Sequence, residues 1–143
     1  MELTKFSELK NVINFCNDNS IDFKEAINQI NSDELDFEVD NYRFISELEI
    51  DEIQYNELKN DLYILGCFNA DFLSDIINIP YKAIVALQKA ECYEELGEIC
   101  EDYVGEIQQE YSRLDGYGHH FACYNGETLE DLLFCGYYVF RVN

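Results

Sequence analysis

Carboxylates are the residues of this chain best placed to do chemistry, and they fall into two groups. The first lies between Asp33 and Asp61, where eleven Asp and Glu residues face two cations, Arg43 and Lys59. Within it, Asp36, Glu38 and Asp40 alternate with Leu35, Phe37 and Val39, and Glu47, Glu49, Asp51 and Glu52 follow. The second group is Glu91, Glu95, Glu98, Asp102, Glu106 and Glu110, spaced by four, three, four, four and four residues. On a continuous helix those spacings form one stripe. The apolar residues threaded through the first group predict that it folds, since a disordered acidic tail would lack them. Folding would fix the carboxylates in space, and fixed carboxylates can stand in for phosphates in a basic groove. The stripe alone is sparse for that task. Its 19 steps of about 1.5 Å give one carboxylate per roughly 5–6 Å, whereas a DNA strand carries a phosphate per about 3.4 Å. The expectation therefore requires the two groups to lie side by side.

Other chemistries are weaker. Calcium ligation by Glu47, Glu49, Asp51 and Glu52 would need a loop with ligands at set positions around a central glycine, and no glycine falls there. His119, His120 and Cys123 suggest a soft metal or a nucleophile. If His119–Tyr124 is a strand, adjacent histidines point to opposite faces and cannot share one ion. His119 and Cys123 would share a face, but a zinc site needs two further ligands, and no CxxC or HxxxH supplies them. A nucleophilic pair would need Cys123 or Cys135 activated by His120. Structural histidines beside a glycine-rich turn are commoner than either. The expectation is a non-enzymatic protein with no catalytic residue, no cofactor and no bound metal. Tyr117, His119, His120 and Tyr137 stand as secondary partner-facing candidates, within an aromatic group that more often builds core than stacks bases.

The charge balance agrees with a binding role. Thirty Asp and Glu against nine Lys and Arg give a net −21 at pH 7. Direct binding to nucleic acid or an anionic membrane is disfavoured, because phosphate contacts need Lys and Arg. Basic proteins, including those that bind nucleic acid, become the favoured partners, and a homodimer stays compatible with the sequence. Six cysteines with no CxxC and no signal peptide predict buried free thiols in a reducing cytoplasm. No apolar run reaches the roughly 18 residues of a membrane span.

The elements that must position these groups are set by periodicity. Phe6, Leu9, Val12, Ile13 and Cys16 predict a first helix to about Asn17, and Asp22 opens a second through a capping-box-like DFKE. Leu35–Val39 and Tyr42–Ile45 predict a hairpin across Asp40-Asn41. Residues 47 to 59 read as helical. An apolar helix capped by Asp61 or Asn60 is predicted over Leu62–Ile77, with Gly66 as a tolerated weak spot. A further helix is predicted from Pro80 to about Asp102, continuing or restarting after Gly105 to about Arg113. The C-terminal part predicts strands at His119–Tyr124, Thr128–Leu133 and Tyr137–Val142, the first two joined across Asn125-Gly126. With no internal repeat, linker or low-complexity segment evident, the expectation is one α+β domain over residues 1–143. It has several helices around an apolar central helix, an acidic N-terminal hairpin and a C-terminal antiparallel segment of about three strands.

Asp40-Asn41-Tyr42-Arg43-Phe44-Ile45, Leu65-Gly66-Cys67-Phe68-Asn69, Gln88-Lys89-Ala90-Glu91 and the closing DGYGHHFACYNG and GYYVFRVN resemble small acidic proteins carried by bacterial phages and mobile elements. More loosely, the order of acidic strands, acidic helices and a closing β segment is similar to ArdA-type antirestriction proteins. That resemblance implies a DNA mimic that occupies the DNA-binding groove of a restriction enzyme in the bacterial cytoplasm. It implies no catalytic residue. The expectation is an anti-defence factor, antirestriction or anti-CRISPR, whose partner is a basic nucleic-acid-binding host protein. The alternative is an interaction module that contacts its partner through the C-terminal aromatic hairpin, with acidity serving only solubility.

Overall fold

The computed structural model describes residues 6–123, 128–130 and 136–143. The fold is α+β, with two compact units. One comprises the described parts of Met1–Ile50 and Asp115–Asn143; the other is Asp51–Leu114.

The first unit is a four-stranded antiparallel sheet with helices packed on it. α1 (Phe6–Asp18) and α2 (Phe23–Asn31) precede β1 (Asp36–Val39) and β2 (Tyr42–Ser46). After the second unit come α9 (Gly118–Phe121), β3 (Thr128–Glu130) and β4 (Tyr137–Arg141), giving the strand order β1-β2-β4-β3. The period-2 pattern of β1 emerges as alternating exposed and buried residues. Phe37, Val39, Phe44, Tyr137 and Val139 form one sheet face and pack with Val12, Cys16, Ile21, Ala26 and Ile30 of the helical layer. Phe37 stacks on Phe44 with centroids 4.9 Å apart, as a directly opposed cross-strand pair.

Asp22 caps α2 by accepting from the backbone N–H groups of Lys24 and Glu25. The reciprocal bond of a capping box comes from elsewhere: Asp22 N–H donates to the Asp40 carboxylate at 2.8 Å. Asp40 itself has φ 54°, the left-handed conformation that the hairpin turn demands.

The predicted strand at His119–Tyr124 is instead the short helix α9, and Tyr124 lies outside the described residues. The Tyr117 carbonyl accepts from the amides of both His120 and Phe121, which winds the segment into a turn. The expected Asn125-Gly126 hairpin turn and most of Thr128–Leu133 also lie outside the described residues. β3 pairs with β4, with a register shift between Thr128 and Glu130. Cys123 donates its amide to the Arg141 carbonyl at 2.7 Å, continuing that edge.

The second unit holds α3 (Ile50–Lys59), α4 (Leu62–Gly66), α5 (Ala70–Ile77), α6 (Tyr81–Lys89), α7 (Tyr93–Cys100), a 3₁₀ turn at Glu101–Tyr103 and α8 (Val104–Asp115). Its core includes Leu58, Leu65, Leu73, Ile84, Leu96, Cys100 and Ile107, each 0% exposed. The single apolar helix expected over Leu62–Ile77 is two helices. Asn69 breaks it, its side chain capping α5 by accepting from Asp71 and Phe72. Gln88 bridges the break, donating from Nε2 to the Gly66 and Phe68 carbonyls at 3.0 and 2.8 Å. The Gly66 carbonyl is one that the end of α4 leaves without an intrahelical partner, and the Phe68 carbonyl lies in the link before α5.

Gly66 is a structural requirement rather than a weak spot. An ideal Cβ there would sit 1.9 Å from the Tyr93 carbonyl oxygen, and one on Gly97 would sit 1.9 Å from the Leu62 carbonyl oxygen. α4 and α7 thus touch backbone to backbone in both directions, which only glycine permits.

Candidate functional site: the acidic surface

The long helix expected from Pro80 to Asp102 is broken at Ala90–Cys92. Glu91 N–H bonds to Gln88 O and Cys92 N–H to Leu87 O, closing a Schellman motif with Glu91 at φ 59°. Glu91 therefore stands in a turn and leaves the stripe. Pro80 lies just before the first turn of α6, as its N-cap.

From Tyr93 to Asp115 the chain is helical throughout, but the 3₁₀ turn divides it. The backbone stays near α-helical through that turn, with Glu101 at φ −56°, ψ −39° and Val104 at φ −57°, ψ −38°, and Leu96, Cys100, Val104, Ile107 and Tyr111 bury one face across it. Glu95, Glu98, Asp102, Glu106 and Glu110 therefore keep the three- and four-residue spacing of one helical face across the turn. These carboxylates form a band along that face.

Exposure within the band is as the sequence implies. Glu91, Glu95, Glu98, Asp102 and Glu106 are exposed, and Glu110 is half-buried. Glu95, Glu98, Asp102 and Glu106 make no side-chain hydrogen bond or ion pair among the described residues. Glu110 differs. Arg113 donates to it from Nε and Nη2, the latter at 2.7 Å. This hydrogen bonding, aided by the Arg113 charge, holds the Glu110 carboxyl below its usual pKa. Glu94 and Glu101, which the stripe pattern passes over, are exposed as well.

The first carboxylate group is partly committed to structure. Asp36 receives a bidentate pair from Arg43, Nε at 2.8 Å and Nη2 at 2.7 Å. The Arg43 guanidinium also lies 5.1 Å from the Phe121 ring centroid. Asp40 is held by the Asp22 amide. Of the three residues expected on a wet acidic face, Glu38 alone has no such bond among the described residues. Glu47 and Glu52 are exposed and Glu49 is half-buried. Asp51 is exposed, and its carboxylate accepts from Gln108 Nε2 at 2.9 Å. Gln108 also donates to Gln54 Oε1 at 3.0 Å, so a largely buried amide on α8 orients a surface carboxylate on α3. Nothing in the sequence marks Gln108 for this task, because an uncharged amide within an amphipathic helix carries no spacing signal.

Asp36, Glu38, Asp40, Glu47 and Glu49 belong to the first unit; Asp51, Glu52 and the band belong to the second. The second unit is acidic in its own right, with fourteen Asp and Glu against four Lys and Arg.

The secondary candidates divide. Tyr137 is 3% exposed and its hydroxyl donates to the Glu34 carbonyl, so it is a core residue and not a partner-facing one. Tyr117 is half-buried and packs against Tyr138 with centroids 5.2 Å apart. His119 is exposed, while His120 lies edge-on to Phe121 at 4.6 Å. With α9 helical, the argument from alternating strand faces no longer applies to this pair. Among the described residues no three His, Cys, Asp or Glu side chains converge as a metal site would require.

The thiols also depart from expectation. Cys16 and Cys100 are buried, and burial pushes each thiol up to about 11, with Asp22 adding to the effect at Cys16. Cys67 and Cys123 are exposed, and Cys92 is half-buried. Cys123 donates its thiol to the Val142 carbonyl. Cys135 lies outside the described residues. No helix among the described residues is long and apolar enough to cross a membrane. Comparison of the chain with protein-family models, with curated proteins and with solved structures finds no match in any of the three.

Proposed function

We propose that this chain is a non-enzymatic acidic binding protein that occupies a basic nucleic-acid-binding groove on a host protein, as an antirestriction or anti-CRISPR factor does. The observation that carries the reading is the band Glu95, Glu98, Asp102 and Glu106. These carboxylates are exposed, free of cationic partners among the described residues, and borne on one continuous helical run. A structural carboxylate tends to acquire an Arg, a Lys or an N-cap role, as Asp36, Glu110 and Asp61 do here. Carboxylates kept without partners leave their full charge available to an incoming cation. Such a surface gives fast, salt-sensitive association with a positive groove.

A competition assay tests the reading. A labelled duplex bound to a purified type I restriction enzyme or to a CRISPR effector is titrated with the chain. The duplex is released by the wild type and retained with the variant carrying Glu95→Lys, Glu98→Lys, Asp102→Lys and Glu106→Lys. Equal release by the two proteins would remove the band from the mechanism.

A further inference from the structure

The second unit contains a repeat that its sequence conceals. α3, α4 and α5 begin at residues 50, 62 and 70, and α6, α7 and the 3₁₀ turn that leads into α8 begin at 81, 93 and 101. Each start recurs 31 residues later. In that register Leu65, Gly66, Asp71 and Ile76 meet the identical Leu96, Gly97, Asp102 and Ile107. Along α4 and α7 the burial pattern coincides position by position, Leu65 and Gly66 buried as are Leu96 and Gly97, and beyond them Leu73 matches Val104 and Ile77 matches Gln108. Gly66 meets Tyr93, the equivalent of Leu62, and Gly97 meets Leu62, with matching 1.9 Å approaches. Reciprocal contact of this kind is what a local two-fold relation produces. α4 and α7 are therefore equivalent, and each serves as an internal control for the other.

That control singles out one surface. On α4, Tyr63 is 52% and Ile64 43% exposed, and Cys67 beyond them is exposed too. Their equivalents on α7 are Glu94, Glu95 and Glu98, all exposed. The same fold position accepts glutamate in one half, so packing does not demand large apolar side chains in the other. Exposing them carries a solvation cost that the scaffold does not require. The patch is also set in negative charge. Tyr63 meets Tyr93 edge-on with centroids 5.2 Å apart, and Glu94 is next to Tyr93 in sequence. The Tyr63 phenol is held above its usual pKa, first by the Cys67 thiol that hydrogen-bonds it and lastly by Glu91.

We infer that Tyr63 and Ile64 form the apolar anchor of the protein-binding surface, receiving a large apolar side chain from a partner segment rich in Lys and Arg. The inference rests on the reading above that the partner is basic. Charge complementarity selects that partner: an apolar patch beside Glu91 and Glu94 suits a segment that is apolar on one side and cationic around it. Aromatic anchors inside a charged rim are the usual site of concentrated binding energy.

The test uses the full chain and two synthetic helical peptides of equal positive charge. One carries Leu and Phe on its uncharged face; the other carries Gln there. The variant is Tyr63→Gln with Ile64→Gln, which installs the neutral isostere of the glutamates α7 bears at these positions; Ile64→Gln alone serves if the double variant fails to fold. Wild type should bind the apolar-faced peptide about tenfold more tightly than the Gln-faced one, roughly the effect of burying one apolar side chain. The variant should lose that preference while binding the Gln-faced peptide as wild type does. A preference that persists in the variant overturns the inference. If wild type binds neither peptide, the basic-partner reading itself fails. If sedimentation shows a wild-type dimer that the variant dissolves, a second copy covers the patch and the inference is overturned by that route.

Discussion

Replacing Gly97 with Ala adds one methyl group, and the place that methyl must occupy sets the cost. An ideal Cβ lies 1.9 Å from the Leu62 carbonyl oxygen and 2.6 Å from its carbon, where ordinary contact begins at 3.4 Å. α4 and α7 must therefore part by about 1.5 Å, the difference between those two oxygen distances. The obstacle is backbone, which cannot swing aside as a side chain would. Separation also takes dispersion contacts from Leu65 and Leu96, both 0% exposed. Overpacking typically costs about 1–3 kcal/mol, and a rigid obstacle puts this case at about 3. The better helix propensity of Ala offsets about 1 kcal/mol, leaving a net loss of about 2 kcal/mol. Gly105→Ala is the matched control, since the nearest atom to its Cβ is Tyr55 Cε2 at 3.9 Å. There the propensity gain stands nearly alone and stability rises by up to about 1 kcal/mol. Thermal and urea unfolding of the full chain, followed by circular dichroism, measure both. A Gly97→Ala protein that melts at or above wild type would refute the close-approach argument.

Glu91→Gly should stabilise by about 1 kcal/mol in the same unfolding assay, because glycine adopts the left-handed conformation at Glu91 without a Cβ penalty; a loss of stability would contradict the Schellman closure. Gln108→Leu should destabilise by about 1–3 kcal/mol, because it strips Gln54 Oε1 of its donor inside the core. Gln54→Leu should cost less, because it also removes the buried Nε2 that has no partner; the reverse order would refute the assigned hydrogen bonds. A native-state thiol titration should label Cys67 and Cys123 and spare Cys16 and Cys100. The buried thiols have folded pKa values raised from 9.0 to about 11. The stability they contribute is thus fully present below pH 9 and is lost as pH rises towards 11. Stability constant across that window would contradict their burial.

Local chemistry makes part of this fold legible. Asp40-Asn41 marks the hairpin turn, Asp22 and Asp61 mark helix starts, and the alternation at Leu35–Val39 marks β1. The breaks are hidden for a physical reason. Helices usually signal a left-handed end with glycine, but here Ser20, Asp33, Asn78 and Glu91 adopt positive φ. Hydrophobic periodicity runs straight across Asn69 and across Ala90–Cys92, so it suggests two long helices where there are several short ones. Gly66 reads as merely tolerated because a contact with Tyr93, a residue 27 positions away, leaves no local trace. The acidic band is legible as composition and spacing. The commitment of Asp36 to Arg43 and of Asp40 to the Asp22 amide is not, since both depend on strand and turn geometry. The repeat is obscured because its matching residues are few and its surface has diverged, from Tyr63 and Ile64 to Glu94 and Glu95.

The most direct test of the central claim is the salt dependence of binding to the enzyme whose duplex the chain displaces. The logarithm of the affinity should fall about linearly with the logarithm of salt concentration, and the slope should become shallower when Glu95, Glu98, Asp102 and Glu106 are neutralised to Gln or Asn. An affinity that does not change with salt, or a slope unaltered by those four substitutions, would contradict the account.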